Sequence, residues 1–292
     1  MDTKHIIWAV LVAAIWGINF VVIRIGLDDF PPILLNALRF AATGVIFAWF
    51  IPRPNIHFGY VIGVGLVLGV AKFSLLFIGM DMGMPAGLAS LVLQAQAFFT
   101  VIFAALFLQE RPKLEQYLGM GIAFSGLVVI SLDLGQAAVV SAFLMVIAAA
   151  ACWGVANILI KQSHADSMLG LFVWASLVAA IPLFTLSWVF EDTAKITYAL
   201  THINLKGIAT ITYLVIAATL IGFGLWGKLL KLYPASMVAP FSLLVPAFGL
   251  SSAALILDET LTPIKAIGSV LIVIGLMVNI GLWKRFRQIK KA

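Results

Sequence analysis

The chain has 292 residues, 63% of them hydrophobic and 10% charged, with a mean hydropathy of +1.13. Water-soluble domains carry about 25% charged residues, so this composition excludes an ordinary soluble enzyme, a disordered chain and a nucleic-acid-binding module. The net charge of +6 comes from 18 Lys and Arg scattered over connections and the C-terminal tail, not gathered on one face as nucleic acid would require.

A helix crossing the hydrocarbon of a bilayer needs about 20 predominantly apolar residues. The sequence predicts ten such spans, at 6–27, 33–51, 58–80, 84–108, 114–132, 139–160, 168–189, 207–230, 236–257 and 263–283. The first has no small-residue cleavage site and reads as a retained helix, not a signal peptide. With the N-terminus inside, twelve Lys and Arg fall in inner connections and four (Arg24, Lys195, Lys206, Lys265) in outer ones. Arg39 and Lys72 lie within spans. That positive-inside bias predicts a multi-pass membrane protein with both termini cytoplasmic. The basic tail at 284–291 is expected to rest on anionic lipid headgroups.

The chain repeats itself. AAIWGINFVVIR around Trp16 matches AACWGVANILIK around Trp153 at an offset of 137. Pro85-Ala86, Glu110, Gly119 and Gly126 match Pro234-Ala235, Glu259, Gly268 and Gly275 at an offset of 149. The longer connection near 191–206 absorbs the difference of 12. Each half holds five spans, and an odd number turns the second half upside down in the membrane. The expected fold is therefore an all-α membrane protein, ten transmembrane helices as two inverted five-helix repeats, residues 1–135 and 136–292. Such repeats characterise secondary transporters, with the substrate near the midplane.

Ionisable groups inside spans are costly and point to function. Arg39 and Lys72 are expected at similar depth in the outer halves of spans 2 and 3, while no Asp or Glu falls mid-span. Two cations without a buried acid call for an anionic substrate group. The structural alternative has Arg39 bonding helix-end carbonyls or pairing with Asp28, Asp29 or Asp133. Lys72 shares a helical face with Gly65, Gly69 and Gly79, which leaves either room for a ligand or a close helix contact. Asn36, Arg39 and Thr43 likewise form one polar face.

Gln94 and Gln96 on span 4, two positions apart, point to nearly opposite sides, so one of them is expected to face substrate. Asn19 and Asn157, at matching places in the halves, offer amide oxygens to a substrate ammonium or bond between helices. Trp16 and Trp153 sit well inside spans 1 and 6 and either pack or stack on substrate; Trp174 and Trp226 are weaker candidates. Pro240 and Pro246 interrupt span 9 and free carbonyls. The glycine pairs 59/63, 65/69 and 83/87 are close-packing sites or a dimer contact, so monomer and homodimer both fit.

Two five-span halves opening on Trp16-Gly17 and Trp153-Gly154 with Asn close behind, the Leu38-Arg39-Phe40 triplet, and a Glu closing the fourth span of each half resemble the EamA branch of the drug/metabolite transporter superfamily. GMPAGLASLVLQAQAFFT (83–100) and APFSLLVPAFGLSSAALILDE (239–259) are similar to bacterial exporters of O-acetylserine and cysteine, which carry glutamine where this chain has Lys72. The resemblance implies a ten-helix exporter of a small amino-acid-like metabolite in the cell inner membrane, and rocking of one half against the other would expose its site alternately, the alternating access of inverted repeats.

The leading reading is a secondary exporter of a small zwitterionic or anionic metabolite. Its carboxylate would meet Arg39 or Lys72, and its ammonium Asn19, Asn157 or a Gln. No cofactor, metal or catalytic group is called for, and Lys72 is the one candidate carrier of a coupling proton. Multidrug-cation efflux is the alternative, but it normally calls for a membrane-embedded acid. An intramembrane enzyme lacks its parts. The four histidines (5, 57, 164 and 202) fall in connections or at span ends, there is no HExxH or Walker motif, and the single Cys152 gives no Cys-based zinc site.

Overall fold

The computed structural model describes residues 1–133 and 137–279; the basic tail at 284–291 lies outside them. Eleven helices follow one another among these residues: α1 (Thr3–Gly26), α2 (Pro32–Phe47), α3 (Phe58–Asp81), α4 (Ala86–Phe107), α5 (Leu114–Ser131), α6 (Ala137–Ser163), α7 (Met168–Phe190), α8 (Thr193–Thr201), α9 (Leu205–Leu232), α10 (235–256) and α11 (Pro263–Asn279). Eight are long and apolar enough to cross a membrane, and α2 and α11 are shorter apolar helices of 16 and 17 residues. Hydrocarbon offers backbone groups no water, so a crossing segment must bond internally, and the helix does so. Every expected span has a helix at its place.

The connections start the helices with capping chemistry. Ser167 Oγ accepts from the Gly170 amide at 3.0 Å to start α7, and Asn204 Oδ1 accepts from Gly207 at 2.7 Å to start α9. The element the sequence did not announce is α8, inside the connection at 191–206. Asp192 Oδ1 caps it through the Ala194 amide at 2.8 Å, and it buries only Ile196 and Ala199. One polar-faced helix of nine residues is too short to register as a span.

Both halves break their helices at equivalent places. α3 widens to a π-helix over Gly65–Lys72 and α9 over Tyr213–Ile221; α4 tightens to a 3-10 turn over Leu93–Ala95 and α10 over Ala239–Leu243. α4 and α10 each end beside a left-handed residue, Gln109 (φ 55°) and Asp258 (φ 53°), 149 positions apart. The next amide, of Glu110 or Glu259, reaches back to Ala104 or Ala253 oxygen at 3.3 Å in both.

Packing repeats the same correspondence. In lipid, helices associate by close van der Waals contact and interhelical hydrogen bonds, and small residues let backbones approach. A Cβ at Gly119 would lie 2.6 Å from Gly275 oxygen, and one at Gly126 would lie 2.6 Å from Gly268 oxygen. As numbering rises along α5 it falls along α11, so the two run antiparallel. Gly119 is the sequence mate of Gly268 and Gly126 of Gly275, so each glycine meets the mate of the other, the signature of a two-fold contact. Gly17 of α1 presses on Gly249 nitrogen of α10 (2.8 Å to a Cβ), as its mate Gly154 of α6 presses on Thr100 nitrogen of α4 (3.0 Å).

The glycines beside Lys72 serve contact, not ligand space. A Cβ at Gly65 would meet Ala175 oxygen at 2.8 Å, one at Gly69 would meet Ala179 Cβ at 2.6 Å, and one at Gly79 would meet Ala142 oxygen at 3.0 Å. Gly63 and Gly87 also face neighbours within the chain, Leu159 and Glu259 among them.

Candidate functional site

A cavity of about 90 Å³ lies where α1, α2, α3, α4, α6, α9 and α10 converge. Asn19, Arg39, Lys72, Gln94, Gln96 and Trp153 line it, with Trp16, Phe20, Phe73, Ser90, Phe223 and Ser242. Six of the seven residues expected from sequence are thus gathered at one place. No Asp or Glu is among the lining residues.

Arg39 enters from α2, buried. Its Nη2 donates to Thr219 Oγ1 at 3.2 Å, its Nη1 has no partner, and its Cζ lies 4.2 Å from the centroid of the Phe73 ring. The acids considered as its structural partners are engaged elsewhere. Asp28 pairs with Arg24 (2.9 Å) and Lys206 (3.5 Å), Asp29 with Lys206 (3.2 Å), and Asp133 with Lys265 (3.8 Å) and the Thr262 hydroxyl. Lys72 ends the π-helical stretch of α3, the kind of distortion that often marks functional positions. Its Nζ lies 3.3 Å from the Phe73 centroid and 4.3 Å from the Trp153 centroid.

Both cations therefore face the same ring, and the sum of their distances to it, 7.5 Å, bounds their separation. At an effective dielectric of ~20, two unit charges so placed repel by about 2 kcal/mol. Ring faces supply about 0.5–2 kcal/mol per cation, comparable with that repulsion, but no counter-charge.

Gln94 and Gln96 correct the sequence expectation, since both line the cavity. The cause is the 3-10 turn at Leu93–Ala95. At three residues per turn, side chains two apart diverge by roughly 120°, against roughly 160° in a regular α-helix. Gln94 Nε2 donates to Ser242 oxygen at 3.3 Å, and Gln96 Nε2 to Gln94 Oε1 at 3.4 Å, while Gln96 Oε1 has no partner. The Ser242 carbonyl follows Pro240 in the broken part of α10, one of the carbonyls the prolines were expected to free.

Asn19 is buried on the cavity wall with Oδ1 unpartnered. Asn157 does not line the cavity; its Nδ2 donates to Thr100 Oγ1 at 3.0 Å, the helix-to-helix alternative. Asn19 follows its Trp by three positions and Asn157 by four, and that extra residue turns the side chain by about 100°. Ala156 stands at the position equivalent to Asn19. The polar face of α2 also divides: Asn36 Nδ2 bonds Gly69 oxygen (3.0 Å) and Ser74 (3.3 Å), and the Thr43 hydroxyl bonds Arg39 oxygen (2.9 Å).

Trp16 donates Nε1 to Ala218 oxygen at 3.0 Å and packs on Phe223 and Trp226. Trp174 donates to Ile51 oxygen at 3.1 Å and lies outside the lining. Phe73, Thr219 and Phe223 belong to the site without a sequence signal beyond apolar or small polar character.

Two carboxylates brace helices that carry the site. Glu191 accepts from the amides of Ile33 (2.6 Å) and Leu34 (3.0 Å) at the start of α2, and from the Ser187 hydroxyl (2.7 Å). Burial pushes its carboxyl pKa up from the usual range, with those hydrogen bonds opposing. Glu259 accepts from the amides of Ala86 (2.6 Å) and Gly87 (2.9 Å) at the start of α4. Glu110, its mate, is exposed and pairs with Lys161. Negative charge at a helix N-terminus is favoured by its idle amides and dipole.

Comparison with known proteins adds a lineage. The EamA-like transporter family matches residues 3–132 and again 140–281. A protein of Escherichia coli (strain K12) named "Probable amino-acid metabolite efflux pump" is 41% identical over 98% of both chains. The "Probable terminal-alkyne amino-acid exporter" of Streptantibioticus cattleyicolor is 29% identical over 95% of this chain and 94% of that one. A crystal structure sharing 19% identity superposes with a TM-score of 0.57 over 97% of this chain and 100% of that one, which shows a shared fold.

Proposed function

The chain belongs to the EamA-like transporter family, a transporter and not an enzyme, and from that premise we propose that it exports small amino-acid metabolites across the cell inner membrane. The observation that carries this reading is the set of idle polar groups in one cavity: a donor at Arg39 Nη1 and acceptors at Asn19 Oδ1 and Gln96 Oε1. Leaving a buried polar group unpaired costs about 1–3 kcal/mol. A carboxylate at Arg39 and an ammonium between the two amide oxygens relieve all three at once. The names of the E. coli and S. cattleyicolor relatives point to the same chemistry. Multidrug-cation efflux is disfavoured by the absence of a lining acid and by a volume well below the ~300–1,000 Å³ of drug-sized sites.

In this reading ten helices cross the membrane, as two inverted repeats over 1–135 and 136–292, with both termini cytoplasmic. The reciprocal glycine contacts of α5 with α11 support the inversion, and the two halves rock to expose the cavity alternately. The test is a thermal-shift screen of detergent-purified protein against amino acids and their O-acyl derivatives. One chemical class raises the melting temperature of the wild type and not of Arg39→Ala. No shift by any of them, or the same shift in the variant, overturns the proposal.

A further inference from the structure

We infer that the preferred substrate carries a second acidic group: an amino acid whose short side chain ends in a carboxylate, sulfonate or phosphate. The inference rests on the reading of this cavity as the substrate site. Arg39 and Lys72 both line it, no more than 7.5 Å apart beside the Phe73 ring, with no Asp or Glu among the lining residues. Each has unspent capacity. Arg39 Nη1 is idle, and the Lys72 ammonium lies over two ring faces, neither of which carries a negative charge.

Charge balance selects among ligands. A neutral zwitterion brings one negative and one positive group, so the two-cation cavity keeps the net charge it had. An anion without an amine leaves Asn19 Oδ1 and Gln96 Oε1 idle, because both are acceptors. A compound with two acid groups and one ammonium answers every unsatisfied group: one acid at Arg39, the second at Lys72 and the ammonium at the amide oxygens. The cations lie no more than 7.5 Å apart, which calls for a short side chain between the two acid groups. An ion held by fixed, desolvated partners of opposite sign is the strong form of hydrogen bonding.

Proteoliposomes holding the full chain test this by exchange of labelled L-aspartate, L-glutamate and O-phospho-L-serine against L-serine and O-acetyl-L-serine. Wild type exchanges at least one acidic compound about tenfold or more faster than the neutral ones. Lys72→Gln loses that preference, and Lys72→Arg retains it. Equal or faster exchange of the neutral compounds by wild type overturns the second acidic group and leaves the amino-acid reading standing. Exchange of none of the five compounds overturns both. If Lys72→Gln does not fold, the wild-type panel alone decides.

Discussion

Arg39 holds its guanidinium between a threonine hydroxyl and an aromatic face, with one nitrogen idle. A purely structural arginine would spend its donors on carbonyls or an acid, so Arg39→Ala should abolish transport while the protein remains folded by size-exclusion chromatography. Arg39→Lys should restore little, because an ammonium lacks the planar fork. The two asparagines separate in the same assay. Asn19→Ala should raise KM by about tenfold, the worth of one hydrogen bond to a charged group. Asn157→Ala should leave KM unchanged and cost about 0.6 kcal/mol of stability. The cations were legible in the sequence because charge is rare in hydrocarbon. The difference between Asn19 and Asn157 was not: it turns on one residue of spacing, and near-identical motifs conceal that. The joint placement of Gln94 and Gln96 was hidden for a related reason. A local change of helix type leaves no mark in composition, and Phe73 differs from any core aromatic only by the cations above its ring.

Helix starts set where these side chains sit, and those of α2 and α4 are braced by Glu191 and Glu259. Glu259→Gln removes the charge from the α4 cap and should cost about 0.3–1 kcal/mol, a fall of about 2–4 °C in melting temperature per kcal/mol for a chain of this size. Glu110→Gln, at the exposed mate paired with Lys161, should shift it less. The Glu191 brace on α2 makes a pH prediction. Its carboxyl holds a proton in the folded protein at pH values where the unfolded chain has lost it. Its contribution to stability is therefore fullest below the ordinary value of 4.5 and is lost as pH rises through the raised folded value. Glu191→Gln should flatten that part of the melting-temperature profile. Gly126→Leu should separate α5 from α11, since even a Cβ would meet Gly268 oxygen at 2.6 Å. Span positions and the duplicated glycines could be read from hydropathy and self-similarity. The π-helical and 3-10 breaks could not, since no residue type demands them at Gly65–Lys72 or Leu93–Ala95.

For the whole molecule, the halves agree in helix order, in their breaks and in the contacts of their glycines, yet the cavity they enclose is unequal. Arg39, Lys72, Gln94 and Gln96 all come from the first half, whereas the second contributes mainly Trp153, Ala218, Phe223, Ser242 and Val245. Duplication supplies the frame, and divergence between the halves supplies the polar lining of the cavity. On the proposed reading this frame moves an acid-bearing metabolite through the cationic cavity. Efflux of labelled substrate from preloaded proteoliposomes, wild type beside Arg39→Ala and protein-free vesicles, measures it directly. Wild type is expected to release it well above the protein-free rate, and Arg39→Ala at that rate. Wild-type release no faster than from empty vesicles, or undiminished release by the variant, would contradict it.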